Sequence, residues 1–145
     1  MINIDTYKKT EGILYNYKNL KAEIKMFLLE IEDIENSYRG IGAIEYSDMP
    51  KAHSTKSSIE QEIEQKEKRI EYLNTLIMRK ENMIKRVDNA LEVLTDYEHK
   101  LIELRYFQNL THFRVAEILE VDVSTVYRNK KDIVTKLSNL MFIQY

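Results

Sequence analysis

The chain has 145 residues and a formal net charge of −2, with one proline, three glycines and no cysteine. This length allows one globular domain, or a small domain beside an extended element. The scarcity of proline and glycine favours long uninterrupted helices, and the absence of cysteine excludes a disulfide framework and any thiolate metal site. With 32% charged and 43% hydrophobic residues, the composition is that of a folded helical protein.

The sequence contains no apolar run that approaches the length of a membrane span. Its first residues also lack the apolar core of a signal peptide. We therefore expect a cytoplasmic protein without a membrane partner.

The first periodic segment extends from Asp5 to about Tyr38. Its apolar side chains alternate spacings of four and three residues, which is the heptad seam of packed helices. The residues of this seam are Ile13, Tyr17, Leu20, Ile24, Phe27, Ile31, Ile34 and Tyr38. A seam this regular predicts packing against another helix.

Residues 37–58 interrupt the pattern and include Gly40, Gly42 and Pro50. We expect a loop there, which either packs on the protein, contacts a partner or is a poorly ordered connector.

A second seam follows from about Ser58 to Leu94, with members Ile59, Ile63, Lys66, Ile70, Leu73, Ile77, Lys80, Ile84, Val87, Leu91 and Leu94. Residues 1–94 are thus predicted to form an antiparallel helical hairpin. Its apolar surface exceeds what one hairpin covers, so we expect a homodimer or higher oligomer.

A third helix is predicted to begin after Thr95, because threonine followed three residues later by Glu98 is a capping box. This helix is expected to reach Phe107 and to support the helices that follow it. Residues 95–145 are therefore predicted to form a small three-helix domain. A unit of this size is near the lower limit for independent stability.

Residues 111–137 have the pattern of two short helices separated by a tight turn. Apolar residues recur at helical spacing in both, namely Val115, Ala116 and Leu119 in the first and Val126, Ile133, Val134 and Leu137 in the second. Thr111 and Asp122 are placed to cap the two helices. Four basic residues and one acidic residue between Val123 and Leu137 give this segment a local net charge of +3, in a chain that is acidic elsewhere.

This stretch resembles the helix-turn-helix of sigma-70 region 4, and it is more similar still to phage transcriptional regulators of the RinA and ArpU type. The residues that carry the resemblance are Leu110, Thr111, Val115-Ala116, Ser124-Thr125-Val126-Tyr127-Arg128 and Lys136-Leu137. The sequence departs from that pattern at Glu120, where glycine is usual, and at Asn129-Lys130, where an aromatic or aliphatic residue is frequent. A left-handed backbone at Glu120 costs more than at glycine, because of the side chain.

The resemblance implies a sequence-specific regulator that binds double-stranded DNA in a bacterial host cell and controls late phage genes, with RNA polymerase as a further candidate partner. Hydroxyls and cations at the start of the second helix suit a major-groove reader. The residues of this kind are Ser124, Thr125, Tyr127, Arg128 and Lys131. We expect Arg128 to contact bases. The residues expected to contact the DNA backbone are Thr111, Arg114, Lys136 and Lys130, the last of them partly packed on the protein.

Two other functions stay open. A small terminase subunit also combines a helix-turn-helix with a helical oligomerisation region and assembles into rings. A helical protein-interaction module that antagonises a host factor would use the same surface against a protein. We expect neither an enzyme nor a cofactor or metal, because His53, His99 and His112 are scattered and Asp96 with His99 has no second pair.

Overall fold

The structure is a computed structural model that describes residues 3–44 and 53–143, with side chains for residues 3–38 and 58–143. Every element in these ranges is helical, which confirms the predicted all-α fold. The helices are α1 (Ile4–Ile44), α2 (His53–Leu91), α3 (Asp96–Ile102), α4 (His112–Leu119) and α5 (Val123–Met141). A π-helical segment, Glu103–Phe107, follows α3 directly. Among the described helices, none combines the length and apolarity that crossing a bilayer requires.

The two long helices extend into the loop predicted for residues 37–58. Helix α1 continues to Ile44 and α2 begins at His53, so the predicted loop was too wide at both ends. A glycine in a helix costs only about 1 kcal/mol relative to alanine. Gly40 and Gly42 therefore weaken the end of α1 without terminating it. The remainder of the predicted loop, residues 45–52, lies outside the described residues.

The chain divides into two compact units. The terminal unit consists of Met1–Lys21 and Asn82–Tyr145, and the middle unit of Ala22–Glu81. This division differs from the predicted boundary between residues 94 and 95. The core gives the physical reason, because Leu14 of α1 and Val87 of α2 are buried in one cluster with side chains from α3, α4 and α5.

The core of the terminal unit contains the inward-facing residues predicted for the helix-turn-helix. The buried members of the cluster are Leu14, Val87, Ala90, Leu91, Leu101, Ile102, Leu104, Tyr106, Val115, Ala116, Val126, Ile133, Val134, Leu137 and Met141. Ala116 has only a methyl side chain, which lets α4 and α5 approach closely where they cross. Leu119, also predicted to face inward, is half-buried at the edge of this core.

The middle unit has a smaller core built from the two predicted seams. Its members are Ile24, Phe27, Ile31, Ile34, Ile70, Leu73 and Ile77. Polar contacts join the same two segments in opposite order: Glu30 pairs with Arg69 at 2.9 Å, and Glu23 pairs with Lys80. Within Ala22–Glu81 the segments therefore run antiparallel. The hairpin over all of residues 1–94 stays a prediction, as does its oligomerisation.

Candidate nucleic-acid interface

The starts of α3 and α4 are fixed by side-chain caps. The Thr95 hydroxyl accepts from the Glu98 N–H, and the Glu98 carboxylate accepts from the Thr95 N–H, which confirms the capping box. The Thr111 hydroxyl accepts from the Arg114 N–H at 3.2 Å, as predicted. Asp122 occupies the corresponding position before α5, but its side chain makes no capping hydrogen bond, so that part of the prediction was wrong. Its carbonyl oxygen instead begins the hydrogen bonding of α5.

The turn between α4 and α5 has a left-handed residue at Glu120, with φ 56° and ψ 44°. The Val121 N–H donates to the Ala116 carbonyl at 3.0 Å, and the Glu120 N–H donates to the Glu117 carbonyl at 3.4 Å. This pair of hydrogen bonds is a Schellman motif, which usually has glycine at the left-handed position. The motif ends α4 sharply and sets the direction in which α5 leaves it.

Helix α5 has one buried face and one open face. Val126, Ile133 and Leu137 point into the core. Predicted site residues on the other side line an open groove, namely Ser124, Tyr127, Arg128, Lys130 and Lys131. The opposite wall of this groove is formed by the first turns of α1, through Ile4, Tyr7, Lys8 and Glu11. We call it the α1–α5 groove.

Lys130 is held inside the groove by an ion pair. Its side chain is only 16% exposed, and its ammonium lies 3.6 Å from a carboxylate oxygen of Glu11. The hydroxyl of Tyr106 donates to the same oxygen at 2.7 Å. Burial raises the pKa of Tyr106, and so does its hydrogen bond to Glu11, so this phenol keeps its proton. Lys130 was predicted to contact the DNA backbone. In the structure its ion pair with Glu11 links α5 to α1.

Tyr127 is stacked on His112, with ring centroids 3.9 Å apart and planes 7° from parallel. Burial lowers the pKa of His112, and the positive charges of Arg105 and Lys130 lower it further. A neutral imidazole therefore covers one face of the Tyr127 ring. The tyrosine is still 51% exposed. The stack joins the start of α4 to the second turn of α5 and limits where Tyr127 can reach.

The other predicted site residues lie outside the groove lining. The guanidinium of Arg114 pairs with Glu117 at 2.8 Å. The ammonium of Lys136 lies 3.7 Å from Glu98 and 3.4 Å from the Val93 carbonyl. Thr125 is half-buried. Exposed ion pairs of this kind contribute only about 0–1 kcal/mol, so Arg114 and Lys136 can exchange their partners for a phosphate at low cost.

A family model described as "Protein of unknown function (DUF722)" matches residues 6–139. The chain belongs to the DUF722 family. No curated protein and no solved structure matches it. The DUF722 match begins in the first turns of α1 and ends in α5. Both sequence segments that build the terminal unit are therefore parts of one family region.

All four α1 residues that line the groove of this DUF722 protein were missed from the sequence, and they include Tyr7 and Lys8. Burial raises the pKa of Tyr7 to about 12, with a further contribution from the charge of Glu11. Lys8 is exposed on the same turn. The helical period assigns both to a helix, but it does not indicate that this turn faces α5. The one local signal is the pair of adjacent lysines Lys8-Lys9 near the start of the helix.

Proposed function

We propose that this protein is a sequence-specific regulator that binds duplex DNA, of phage or prophage type, with α5 entering the major groove. The observation that carries the proposal is the open face of α5, where Ser124, Arg128 and Lys131 line one groove. A helix packed on one side and carrying hydroxyls and cations on the other suits base edges and phosphates. Arg128 is the best candidate for a base contact, because a guanidinium can donate to both acceptors of a guanine edge.

The charges on this face support the same reading. Within the described side chains, no salt bridge joins Arg128 or Lys131 to a carboxylate. Their charges are therefore available to neutralise phosphates, which supplies most of the affinity of such proteins for DNA. The chain as a whole carries −2, so a local excess of cations on one helix orients the protein toward DNA through that helix.

The resemblance to the RinA and ArpU regulators and to sigma-70 region 4 supports a role in transcription, with RNA polymerase as a candidate partner. The middle unit supports self-association. It exposes large apolar side chains, each at least half accessible, namely Met26, Leu28, Leu29, Tyr72 and Met78. We propose that these side chains contribute to a contact surface between copies of the chain. A dimer would link two reading helices and raise the affinity for a site with two halves.

The test compares Arg128→Ala with Lys131→Ala, on a site selected from a random-sequence pool and on a scrambled duplex. Arg128→Ala should cost about 1–3 kcal/mol on the selected site and flatten the preference between the two duplexes. Lys131→Ala should weaken both alike and lower the salt slope by about one. Lys25→Ala, an exposed lysine of the middle unit, is the matched control and should bind as the wild type does.

Two results would contradict different parts of the proposal. If Arg128→Ala weakens binding to both duplexes equally, Arg128 does not read bases and the surface only binds phosphate. If the wild-type protein binds no duplex DNA at low salt, α5 is not a DNA-reading helix.

A further inference from the structure

The α1–α5 groove is held together by contacts from both walls. Glu11 of α1 accepts a hydrogen bond from Tyr106 and pairs with Lys130 of α5. One turn further along α1, Leu14 is 1% exposed within the core of the terminal unit. The first turns of α1 are therefore fixed beside α5 by polar contacts and by core packing. Any molecule that lies along the open face of α5 also meets this part of α1.

Cations from two helices line this groove. Lys8 stands on the α1 wall and is exposed, while Arg128 and Lys131 stand on the α5 wall. No salt bridge involves Lys8 within the described side chains. Glu11 is the acidic residue among those that line the groove, and its charge is offset by Lys130 at 3.6 Å. The remaining positive charges suit a polyanion that extends across both walls.

We propose that Lys8 contacts a backbone phosphate of the same duplex that α5 reads, so that the first turns of α1 belong to the DNA interface. This inference rests on the proposed function and extends it to a second element. Duplex DNA fits because it presents a continuous row of phosphates beside the groove that a reading helix enters. The interface on α1 is continuous with that on α5, since both helices form walls of one groove.

The contact is assigned to the Lys8 ammonium and not to the backbone at the start of α1. The Asn3 side-chain oxygen already accepts from the N–H groups of Asp5 and Thr6, at 3.1 and 3.4 Å. Two of the N–H groups that a helix start offers to an anion are thus occupied. Lysine supplies a flexible point charge that reaches phosphate without demanding a fixed geometry.

The experiment measures affinity for a mixed-sequence duplex as a function of salt, using all 145 residues of the chain. The variant is Lys8→Ala and its matched control is Lys9→Ala, because Lys9 is adjacent and has the same charge. The Lys9 ammonium lies 4.9 Å from the centre of the Phe142 ring, and Lys9 is not among the groove-lining residues. Circular dichroism of each variant establishes that both remain helical, and Lys8→Arg tests whether the charge alone is needed.

One phosphate contact contributes about 0.9 to the steepness with which the logarithm of affinity falls against the logarithm of salt concentration. The ratio of wild-type to Lys8→Ala affinity should therefore fall about 3.5-fold between about 50 and about 200 mM salt. Lys9→Ala should keep the wild-type slope, and Lys8→Arg should restore it. If Lys8→Ala keeps the wild-type slope while Lys131→Ala lowers it, the inference about α1 fails and the proposed function stands. Equal losses in Lys8→Ala and Lys9→Ala also overturn the inference, because they indicate a general charge effect. If the wild type binds no duplex, both fail.

Discussion

Replacing Leu14 by alanine tests whether the start of α1 is an integral part of the unit that contains α4 and α5. Leu14 is 1% exposed and lies in the same cluster as Val126, Val134 and Leu137. The substitution removes three carbon atoms, each contributing about 0.8 kcal/mol of transfer free energy. A residual cavity adds about 1 kcal/mol or more if its walls do not collapse. We therefore expect a loss of about 3–4 kcal/mol in the free energy of unfolding.

Urea denaturation followed by circular dichroism measures this loss, and amide hydrogen exchange locates it. If α1 and α5 share one cooperative unit, the amides of Val126, Ile133 and Val134 should lose protection together with those around Leu14. A loss of 3 kcal/mol corresponds to a fall of roughly 150-fold in protection, since about 1.4 kcal/mol is a factor of ten.

Leu28→Ala is the matched control, because Leu28 lies on the same helix and is 52% exposed. Its effect should stay within about 0.5 kcal/mol, as for most surface substitutions. The reasoning is refuted if Leu14→Ala destabilises no more than Leu28→Ala. It is also refuted if α5 keeps wild-type protection while α1 alone loses it, because residues 95–145 would then fold without α1.

Two further predictions concern the turn and the assembly. Glu120→Gly should stabilise the protein by about 0.5–1 kcal/mol in urea denaturation, because glycine avoids the left-handed strain but loses more chain entropy on folding. Asn109→Gly, at φ 54°, should leave the free energy of unfolding nearly unchanged, since asparagine tolerates this conformation. If Glu120→Gly destabilises the protein, the argument from left-handed strain is wrong. In sedimentation velocity the protein should be at least a dimer, and Met26→Lys, at an exposed apolar position, should lower its mass. A strictly monomeric wild type would contradict self-association, whereas a ring of many subunits would favour the terminase alternative.

Local signals in the sequence predicted most of the individual helices. The capping box at Thr95 and Glu98 depends on residues three positions apart, and both of its hydrogen bonds are present. The buried faces of α4 and α5 follow from the 3.6-residue period, which correctly assigned Val115 and Val126 to the core. The left-handed residue of the turn is Glu120, although glycine is preferred at such a position. The hydrogen bonds of the turn hold the Glu120 backbone in this conformation.

Contacts between distant positions could not be predicted from one sequence. The hydrogen bond from Tyr106 to Glu11 joins residues 95 positions apart. Helical periodicity indicates which face of α1 is apolar, but not which element that face meets. For this reason neither the ion pair of Lys130 with Glu11 nor the place of Lys8 in the groove was predicted. The length of α1 was underestimated because Gly40 and Gly42 were interpreted as the end of the helix. A glycine lowers the stability of a helix only weakly and does not have to end it.

The division of the terminal unit between Met1–Lys21 and Asn82–Tyr145 has a consequence for its biosynthesis. Leu14 and Met141 belong to one core, so that core cannot be completed until Met141 has been synthesised. At about 5–20 residues per second, translation from Leu14 to Met141 takes about 6–25 seconds. During that interval the apolar side chains at the start of α1 have no permanent partner. Neighbouring ribosomes on one message carry nascent chains of different lengths that share this segment, so a start of α1 from one chain can pack into the core of another and form a swapped dimer.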